Sequence, residues 1–422
     1  MRFEEMVAAL GLQESAETLK PGWETSARSL PEGEIAFLTE SFLRQAVIPS
    51  AADPDGVRAA VSMGRRVAGD PALRALAWHY HCVVYGPKPA EWGRMSKWPA
   101  LEQALGEEAG LFDTVVFLSG VPKMHEVHRA RQVPEEIIRA TLGDVSIGLH
   151  SHRHRFGMRP DNVGWFSYFA RGELYRLGRL QFQLDWFVPH VRACRHRETR
   201  AVLALAEAGC RFRADGQLAP TKDEPDHWHA TLEVTDTRIT GCPILPQGLA
   251  IRTPVTLSSS EWELTAFPTD RALAVHIPGS GPGGERMDVD ACGDSFRRAL
   301  EFFSRHYSDF GFVGFCCESW LLNSWLEQVL PQTSNMVRFQ REVYLFPGEL
   351  DRQEVVRTAF GGQVPADLSE ASRETSLQRA ILAALEKGEG VPLAAGGCFL
   401  LSEDVARWGT QFYRTQALPV VV

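Results

Sequence analysis

The chain has 422 residues, of which 44% are hydrophobic and 23% are charged, and its formal net charge is −9 at pH 7. This size and composition predict a globular protein of about two or three domains with sizeable cores. The acidic balance argues against a nucleic-acid partner, and no apolar run approaches the roughly 18 residues that a membrane span needs.

The N-terminal stretch MRFEEMVAALGLQESAE is acidic and lacks the apolar core of a secretion signal. We therefore expect the protein in the cytoplasm. The eight cysteines agree with this expectation, because they are scattered without a CxxC pair and suit reduced thiols.

Residues 1–160 carry apolar residues at helical spacing, so we predict a helical N-terminal domain. Three segments show the pattern best, and proline closes the first and opens the other two. Their faces are Ile35, Leu38, Phe42 and Ala46 before Pro49; Leu73, Leu76, Ala77, Tyr80 and Val84 after Pro71; and Ile138, Leu142, Val145 and Leu149 after Pro134. Turn-forming residues at 155–164 predict a linker.

Residues 161–347 change to the alternating pattern of strands, with helices between the later ones. The predicted strands lie around Leu180–Leu184 and Ala230–Val234, and at 272–277, 311–317 and 336–346. The strand at 272–277 is apolar on both faces apart from His276, which places it centrally in a sheet. Helices are predicted around Phe296–Tyr307, with Asp288 or Asp290 as N-cap, and at 321–330, with Asn323 as a possible N-cap.

Residues 348–422 form the third predicted domain, a C-terminal extension. Thr375 and Gln378 match a capping box, so a helix should begin there. A short apolar hairpin or strand pair is expected after it. Together the three segments predict an α+β protein: a helical domain, a mixed α/β sheet domain and a short helical tail.

A glycine-rich loop separates the strand at 272–277 from the following helix. Its glycines are Gly279, Gly281, Gly283 and Gly284. Glycines before a helix N-terminus suit a phosphate, because the backbone N–H groups are exposed there. Asp288 and Asp290 oppose that interpretation, and neither a Walker sequence nor GxGxxG is present. From the residues alone the loop is a phosphate site or a surface connection, and the second is favoured.

Four stretches, in this order, resemble a bacterial family that joins a helical N-acyltransferase N-terminal domain to a GNAT-like C-terminal domain. They are LYRLGRLQF, VHIPGSG, ESWLLN and SNMVRFQREVYLF. The resemblance implies an N-acyltransferase that uses acyl-CoA or acetyl-CoA. In GNAT-like folds the fourth and fifth strands splay apart and acyl-CoA enters the gap. VHIP would be the fourth strand, and GFVGFCCES would be the fifth.

The same resemblance implies where the cofactor binds. The loop would hold the pyrophosphate, so its cofactor-binding candidates are Gly279, Ser280, Gly281, Gly283 and Gly284. Asn323, in the ESWLLN stretch, is a further candidate. The sequence departs from the family in two respects. The loop is long and acidic with Arg286 as its only cation, and the helix after the fifth strand carries Trp320 and Trp325 but no tyrosine.

His276 and Glu318 are the candidate catalytic residues, because each ends a strand beside the implied gap. Acyl transfer needs a group that takes the proton of the amine, and either side chain can do so. The alternatives are a core histidine bonded to backbone and a solvated strand end. Cys316 or Cys317 could be a nucleophile, although a buried thiol that fills space is the favoured interpretation.

Histidine pairs raise a metal site as another possibility. The pairs are His150 with His154, His227 with His229, His79 with His81, and His125 with His128. No HExxH sequence occurs and arginines flank the first pair, so no metal is expected. The favoured function is acyl transfer to a small-molecule or peptide amine. The alternatives are a non-catalytic ligand- or protein-binding module and, on the histidines alone, a metal hydrolase.

Overall fold

The computed structural model describes residues 1–46, 54–88, 95–149, 156–188, 190–219, 226–278, 287–348, 359–360, 367–387 and 395–419. The chain divides into two compact units, Met1–Leu177 and Gly178–Val422. Among the described residues, the first unit is helical up to a final strand, and the second combines several sheets with helices. This confirms the predicted α+β class. No helix in the described ranges is long and apolar enough to cross a membrane.

The first unit consists of helices joined by short turns. They are α1 (Phe3–Leu10), α2 (Ala16–Leu19), α3 (Trp23–Ser29), α4 (Glu40–Ala46), α5 (Pro54–Gly69), α6 (Pro71–Tyr85), α7 (Glu102–Leu105), α8 (Ala109–Leu118), α9 (Val121–Ala130), α10 (Glu135–Gly148) and α11 (Pro160–Ala170), followed by strand β1 (Leu174–Leu177). Their apolar faces share one core.

Two of the predicted helices are confirmed and one is interrupted. The Asp70 carboxylate accepts hydrogen bonds from the N–H groups of Ala72 and Leu73, so α6 begins where Pro71 predicts. Helix α10 begins directly after Pro134. The segment from Ile35 to Ala46 is a 3-10 turn and then α4, because the Thr39 hydroxyl accepts from Phe42 N–H and starts a new helix.

The predicted linker at 155–164 contains the start of a helix. Pro160 occupies the first turn of α11, where the missing N–H costs nothing. The Asn162 side chain accepts from Arg159 N–H, and Val163 and Phe166 are buried. The second half of the predicted linker therefore belongs to a helix of the first unit.

The second unit is built on several sheets. Its strands are β2 (Leu180–Trp186), β3 (Val191–His196), β4 (Val202–Ala206), β5 (Arg211–Phe212), β6 (Trp228–His229), β7 (Leu232–Val234), β8 (Arg238–Gly241), β9 (Pro243–Leu245), β10 (Leu249–Ala250), β11 (Val255–Ser258), β12 (Trp262–Ala266), β13 (Arg271–His276), β14 (Gly314–Ser319), β15 (Tyr344–Pro347) and β16 (Gly396–Leu401). Its helices are α12 (Val289–His306), α13 (Trp325–Val329), α14 (Asn335–Glu342), α15 (Ser376–Glu386) and α16 (Phe412–Thr415).

The main sheet holds the second unit's strands in the order β2-β13-β14-β16-β15. β13 and β14 are parallel, and the other pairs are antiparallel. Helix α12 packs on this sheet through Phe296, whose ring meets Phe182 and Phe315 edge-on with centroids 5.7 and 5.0 Å away. β13 is therefore an internal strand, as predicted, and Asp288 caps α12 through the N–H groups of Asp290 and Ala291.

The sequence pattern did not predict most of the strands between β2 and β13. The alternation predicted one strand in this region, whereas the described residues form β3–β12. They make a five-stranded sheet, β10-β9-β4-β3-β12, a three-stranded sheet, β11-β8-β7, and the β5–β6 hairpin. Many contain only two to four residues, too few for a period of two to stand out.

The predicted strand at 336–346 is wrong over most of its length, because Asn335–Glu342 form helix α14 and only Tyr344–Pro347 form a strand. Two polar residues of this segment, Gln340 and Glu342, lie on the buried face of the helix. Gln340 donates to the carbonyl oxygens of Leu321 (2.8 Å) and Asn323 (3.1 Å).

The tail completes the main sheet. Thr375 and Gln378 form the predicted capping box at the start of α15. In place of the expected hairpin, the described tail residues provide one strand, β16, which pairs with both β14 and β15. Asp404 then binds the buried Arg195 of β3, with an Nη2–Oδ2 distance of 2.7 Å.

Candidate functional site

The two parallel strands at the centre of the main sheet part toward their carboxyl ends. Their ladder contains the pairs Leu273 with Phe315 and Ala274 with Cys316. Beyond it, β13 stays paired with β2 as far as His276, and β14 stays paired with β16 as far as Ser319. Each strand therefore keeps its outer partner while the inner ladder ends. This is the opening that the sequence resemblance implied.

A cavity of about 410 Å³ occupies this opening. Its lining is Asp185, Trp186, Phe187, Val188, Pro268, Ala274, Val275, His276, Cys316, Cys317 and Glu318. The Trp186 side chain is 59% exposed at the end of β2, an unusual position for a large apolar ring. The cavity thus combines apolar walls with a few polar groups, as small-molecule sites do.

His276 lies in this lining with its tautomer set by a neighbour. Its Nε2 is 3.0 Å from Gln183 Oε1. Since a carbonyl oxygen accepts, Nε2 donates, and Nδ1 is the proton-accepting atom of the neutral ring. Burial lowers the pKa of His276 to about 4. The ring is therefore neutral at pH 7 and a weak base.

Glu318 lies where two cavities meet. It is exposed near the end of β14 and lines both the opening and a second cavity of about 350 Å³. The second lining is His190, Gly209, Cys210, Arg211, Leu218, Ala219 and Glu318. A carboxylate at this junction can reach groups that enter from either cavity.

His190 is a candidate that the sequence analysis missed. It precedes β3, is half-buried, and its Nε2 lies 3.1 Å from the carbonyl oxygen of Pro347. Nε2 therefore donates, and Nδ1 accepts protons. VPHVRA carries no motif, so only the placement of this segment against the end of β14 reveals the residue.

The two adjacent cysteines of β14 are buried and lie in the lining of the opening. Burial raises the pKa of Cys316 far above its usual value, so this group stays a thiol at neutral pH. Cys317 lies opposite Cys398 of β16. A protonated, buried thiol fits a packing role better than a nucleophilic one.

Of the six predicted cofactor-binding residues, the structure describes only Asn323. Gly279, Ser280, Gly281, Gly283 and Gly284 lie outside the described residues. Asn323 is buried, and its Oδ1 accepts a hydrogen bond from Trp325 N–H (2.8 Å) at the start of α13. The N-cap of α13 is the next residue, Ser324, so the predicted N-cap is displaced by one residue, and neither cavity lining includes Asn323.

The histidine pairs do not form a metal centre in the described ranges, where no group of three or more suitable ligands occurs. His150 and His154 lie outside those ranges. The rings of His227 and His229 are 5.2 Å apart. His79 instead bonds Ser26 Oγ (3.0 Å) and the Leu19 carbonyl (2.9 Å) in the helical core.

Comparisons with known proteins agree with this architecture. A family model described as a GNAT-like C-terminal domain matches residues 174–398, and one described as an N-acyltransferase N-terminal domain matches residues 41–172. No curated protein matches the chain.

Several solved structures share the fold. One is an acyltransferase mutant in complex with octanoyl-CoA, with 22% identity and a TM-score of 0.62. Another is an acyltransferase in complex with CoA and 10C-teicoplanin, with 22% identity and a TM-score of 0.60. A third is an acyltransferase in complex with decanoyl-CoA and teicoplanin, with 23% identity and a TM-score of 0.59. Each alignment covers 95% of this chain and 99% of the other.

Proposed function

Because this chain belongs to the family with a GNAT-like C-terminal domain, here preceded by an N-acyltransferase N-terminal domain, we propose that it transfers an acyl group from acyl-CoA to an amine. The parting of β13 and β14 around a cavity is the observation that carries the proposal. The similar structures hold octanoyl-CoA or decanoyl-CoA, which supports acyl-CoA as the donor.

The donor occupies the opening between β13 and β14. A strand edge that has lost its neighbour offers backbone groups to a ligand, and the apolar wall suits the acyl chain and pantetheine arm. The pyrophosphate then binds the glycine loop, through Gly279, Ser280, Gly281, Gly283 and Gly284, ahead of α12. The positive end of that helix favours a phosphate there.

The acceptor amine approaches Glu318 from the second cavity. Its nitrogen bonds to the thioester carbonyl carbon, the C–S bond breaks, and CoA leaves as a thiolate that takes up a proton. Glu318 holds the amine and takes its proton, directly or through one water. His276 also contacts the opening, where burial lowers its pKa to about 4 and keeps its ring neutral at pH 7, so it is the second candidate acceptor of this proton. The acceptor is a small-molecule amine or a peptide amine.

The test is to measure donor binding and turnover separately. Calorimetry and thermal unfolding with CoA and octanoyl-CoA report binding, which should stabilise the fold by about 2.7 kcal/mol at 100 times the dissociation constant. Thiol release in the presence of primary amines reports transfer. Binding without thiol release would favour the ligand-binding module. No heat and no shift in melting temperature at millimolar CoA would reject the acyltransferase.

A further inference from the structure

The second cavity contains the guanidinium of Arg211, which forms no ion pair with an acid among the described residues. Arg211 is half-buried, and its Nη1 is inaccessible to solvent. No hydrogen-bond partner for Nη1 and no ion pair of Arg211 occurs in the described part of the chain. Burying a charged donor without an acceptor is costly, and nearly all such groups in folded proteins have a partner. An anion that enters the cavity would supply the acceptor.

Hydrogen bonds fix the backbone position of Arg211 beside the second cavity. Arg211 pairs with His229 in the β5–β6 hairpin, and its carbonyl accepts from Ala219 N–H (3.0 Å). Gln217 Nε2 donates to Ser324 Oγ (3.1 Å), which ties the same turn to the residue preceding α13. The turn that carries Arg211 is thus tied at two points, so its backbone needs little ordering when the side chain binds an anion.

The other charged group in this lining is Glu318, the residue shared with the opening between β13 and β14. One cavity therefore presents a guanidinium and a carboxylate. That arrangement complements a zwitterion whose ammonium pairs with Glu318 and whose carboxylate pairs with Arg211. A planar guanidinium also matches a carboxylate in shape, since it can donate two parallel hydrogen bonds.

We propose that the acceptor is an amine that carries a carboxylate, of the class of amino acids and short peptides, and that Arg211 binds this carboxylate. The proposal rests on the acyltransferase function proposed above and names its acceptor. The cavity volume of about 350 Å³ lies within the range of small-molecule sites and suits an acceptor of this size. The arrangement holds the amine beside Glu318, where the opening would deliver the thioester.

Matched acceptors test the proposal. Amino acids and dipeptides are supplied as free acids and as carboxamides, with octanoyl-CoA as donor, and kcat/KM is measured by thiol release. The carboxamides have the less basic amines, which favours them chemically, so a preference for the acids reports recognition. We expect the acids to be preferred by about 10-fold or more, as one charged hydrogen-bonded pair provides.

Variants then assign the preference to one side chain. Arg211→Gln should remove it by raising KM for the acids, with CoA affinity near wild type, and Arg211→Lys should keep part of it. Arg213→Gln is the matched control, because Arg213 lies on the same turn, is paired with Asp215 and is not part of the cavity lining. Melting temperatures verify folding, and Arg211→Lys keeps the test informative if Arg211→Gln does not fold.

The outcomes separate this inference from the function on which it rests. Absence of CoA binding rejects the acyltransferase itself. Three results with CoA bound reject the carboxylate assignment alone: equal use of acids and carboxamides, a preference that survives Arg211→Gln, or turnover of other amines without turnover of any acid. Weaker CoA affinity in Arg211→Gln would also reject it, because the guanidinium would then bind the donor.

Discussion

Glu318 is one residue before the end of β14, yet it lines two cavities. Glu318→Gln keeps the shape of the side chain and removes its ability to accept a proton. We expect kcat to fall by about 100-fold or more, with CoA affinity near wild type. Isothermal titration with CoA and steady-state thiol release give the two numbers.

Glu301→Gln is the control for this variant. Glu301 is exposed on α12 and pairs with Arg305 one turn later, an interaction of small energy. Its kinetics should match wild type. Full activity of Glu318→Gln would move proton transfer to another group, and His190→Gln and His276→Gln would then be compared in the same assay.

His128 predicts a pH-dependent stability in the first unit. Its side chain is 4% exposed, and neither ring nitrogen has a hydrogen-bond partner among the described residues. Burial lowers its pKa from 6.5 to about 4. Between these values the unfolded chain binds a proton that the folded chain excludes, so stability is full above pH 6.5 and falls as the pH drops toward 4.

The size of this effect at one pH can be measured. At pH 5 the titration of His128 should lower the free energy of unfolding by about 2 kcal/mol relative to pH 7. Each pH unit below the unfolded-state pKa of 6.5 removes about 1.4 kcal/mol. Urea unfolding at pH 7 and pH 5 should show this loss in wild type and a smaller loss in His128→Leu. His125→Gln changes an exposed histidine on the same helix and should keep most of the wild-type loss, because burial is the larger cause of the lowered His128 pKa and the charge of His125 the smaller one. Identical pH dependence in both variants would show that His128 does not titrate as stated.

At the scale of elements, α14 was predicted as a strand because a buried polar residue, Gln340, was interpreted as solvent-facing. Gln340 is fully buried and bonds the carbonyl oxygens of Leu321 and Asn323, which begin the segment after β14. Gln340→Leu removes both hydrogen bonds: the Leu321 carbonyl loses its Gln340 donor, whereas the Asn323 carbonyl still accepts from Leu326 N–H. We therefore expect a loss of about 1–3 kcal/mol in urea unfolding. Gln328→Leu, on the exposed side of α13, should change stability by about 0.5 kcal/mol or less. Similar losses in the two variants would contradict the structural role of Gln340.

The opening between β13 and β14 can be tested by filling it. Ala274 is half-buried in the cavity lining, at the last paired position of the ladder. Ala274→Leu places extra volume where the donor should lie. We expect the CoA dissociation constant to rise about 10-fold or more, with overpacking limited to about 1–3 kcal/mol. Unchanged affinity in a folded variant would place the donor elsewhere.

The sequence predicted elements that carry local signals. Pro71, Asp288 and the Thr375–Gln378 pair each mark a helix start, because the signal and the hydrogen bond it makes are only a few residues apart. The short strands β3–β12 have no such signal, and their pairing depends on residues far away in the chain. The parting of β13 and β14 came from the family resemblance, since no local pattern encodes where a ladder ends.

The same reasoning applies to the candidate site. Glu318 and His276 were found because they end strands that could be predicted. His190 and Arg211 were missed because their role depends on a hairpin that folds against the end of β14. A lone histidine and a lone arginine give no pattern, so tertiary structure is required to select them.

At the scale of the whole molecule, the C-terminal tail is part of the main sheet. β16 lies between β14 and β15 and makes six registered pairs with β14 and four with β15. A chain ending at residue 387 would lose both ladders and the buried Asp404–Arg195 pair, whose loss alone costs about 3–5 kcal/mol. We expect it to be insoluble or to lack cooperative unfolding of the second unit, as followed by circular dichroism.

A chain ending at residue 419 is the control and should fold like the full chain. If the chain ending at residue 387 kept a cooperative transition and bound CoA, the tail would be dispensable. That result would contradict the central position of β16.

The position of β16 also affects the order of events during synthesis. The ribosome makes Glu318 about 80 residues before Gly396–Leu401, the strand that holds β14 in place. Until those last residues emerge, β14 has an exposed edge on one side and a short ladder on the other, which is the kind of edge that aggregates. The site can therefore be completed only after residues 396–401 have been synthesised, and the long separation in sequence between β14 and β16 favours slow formation of this ladder.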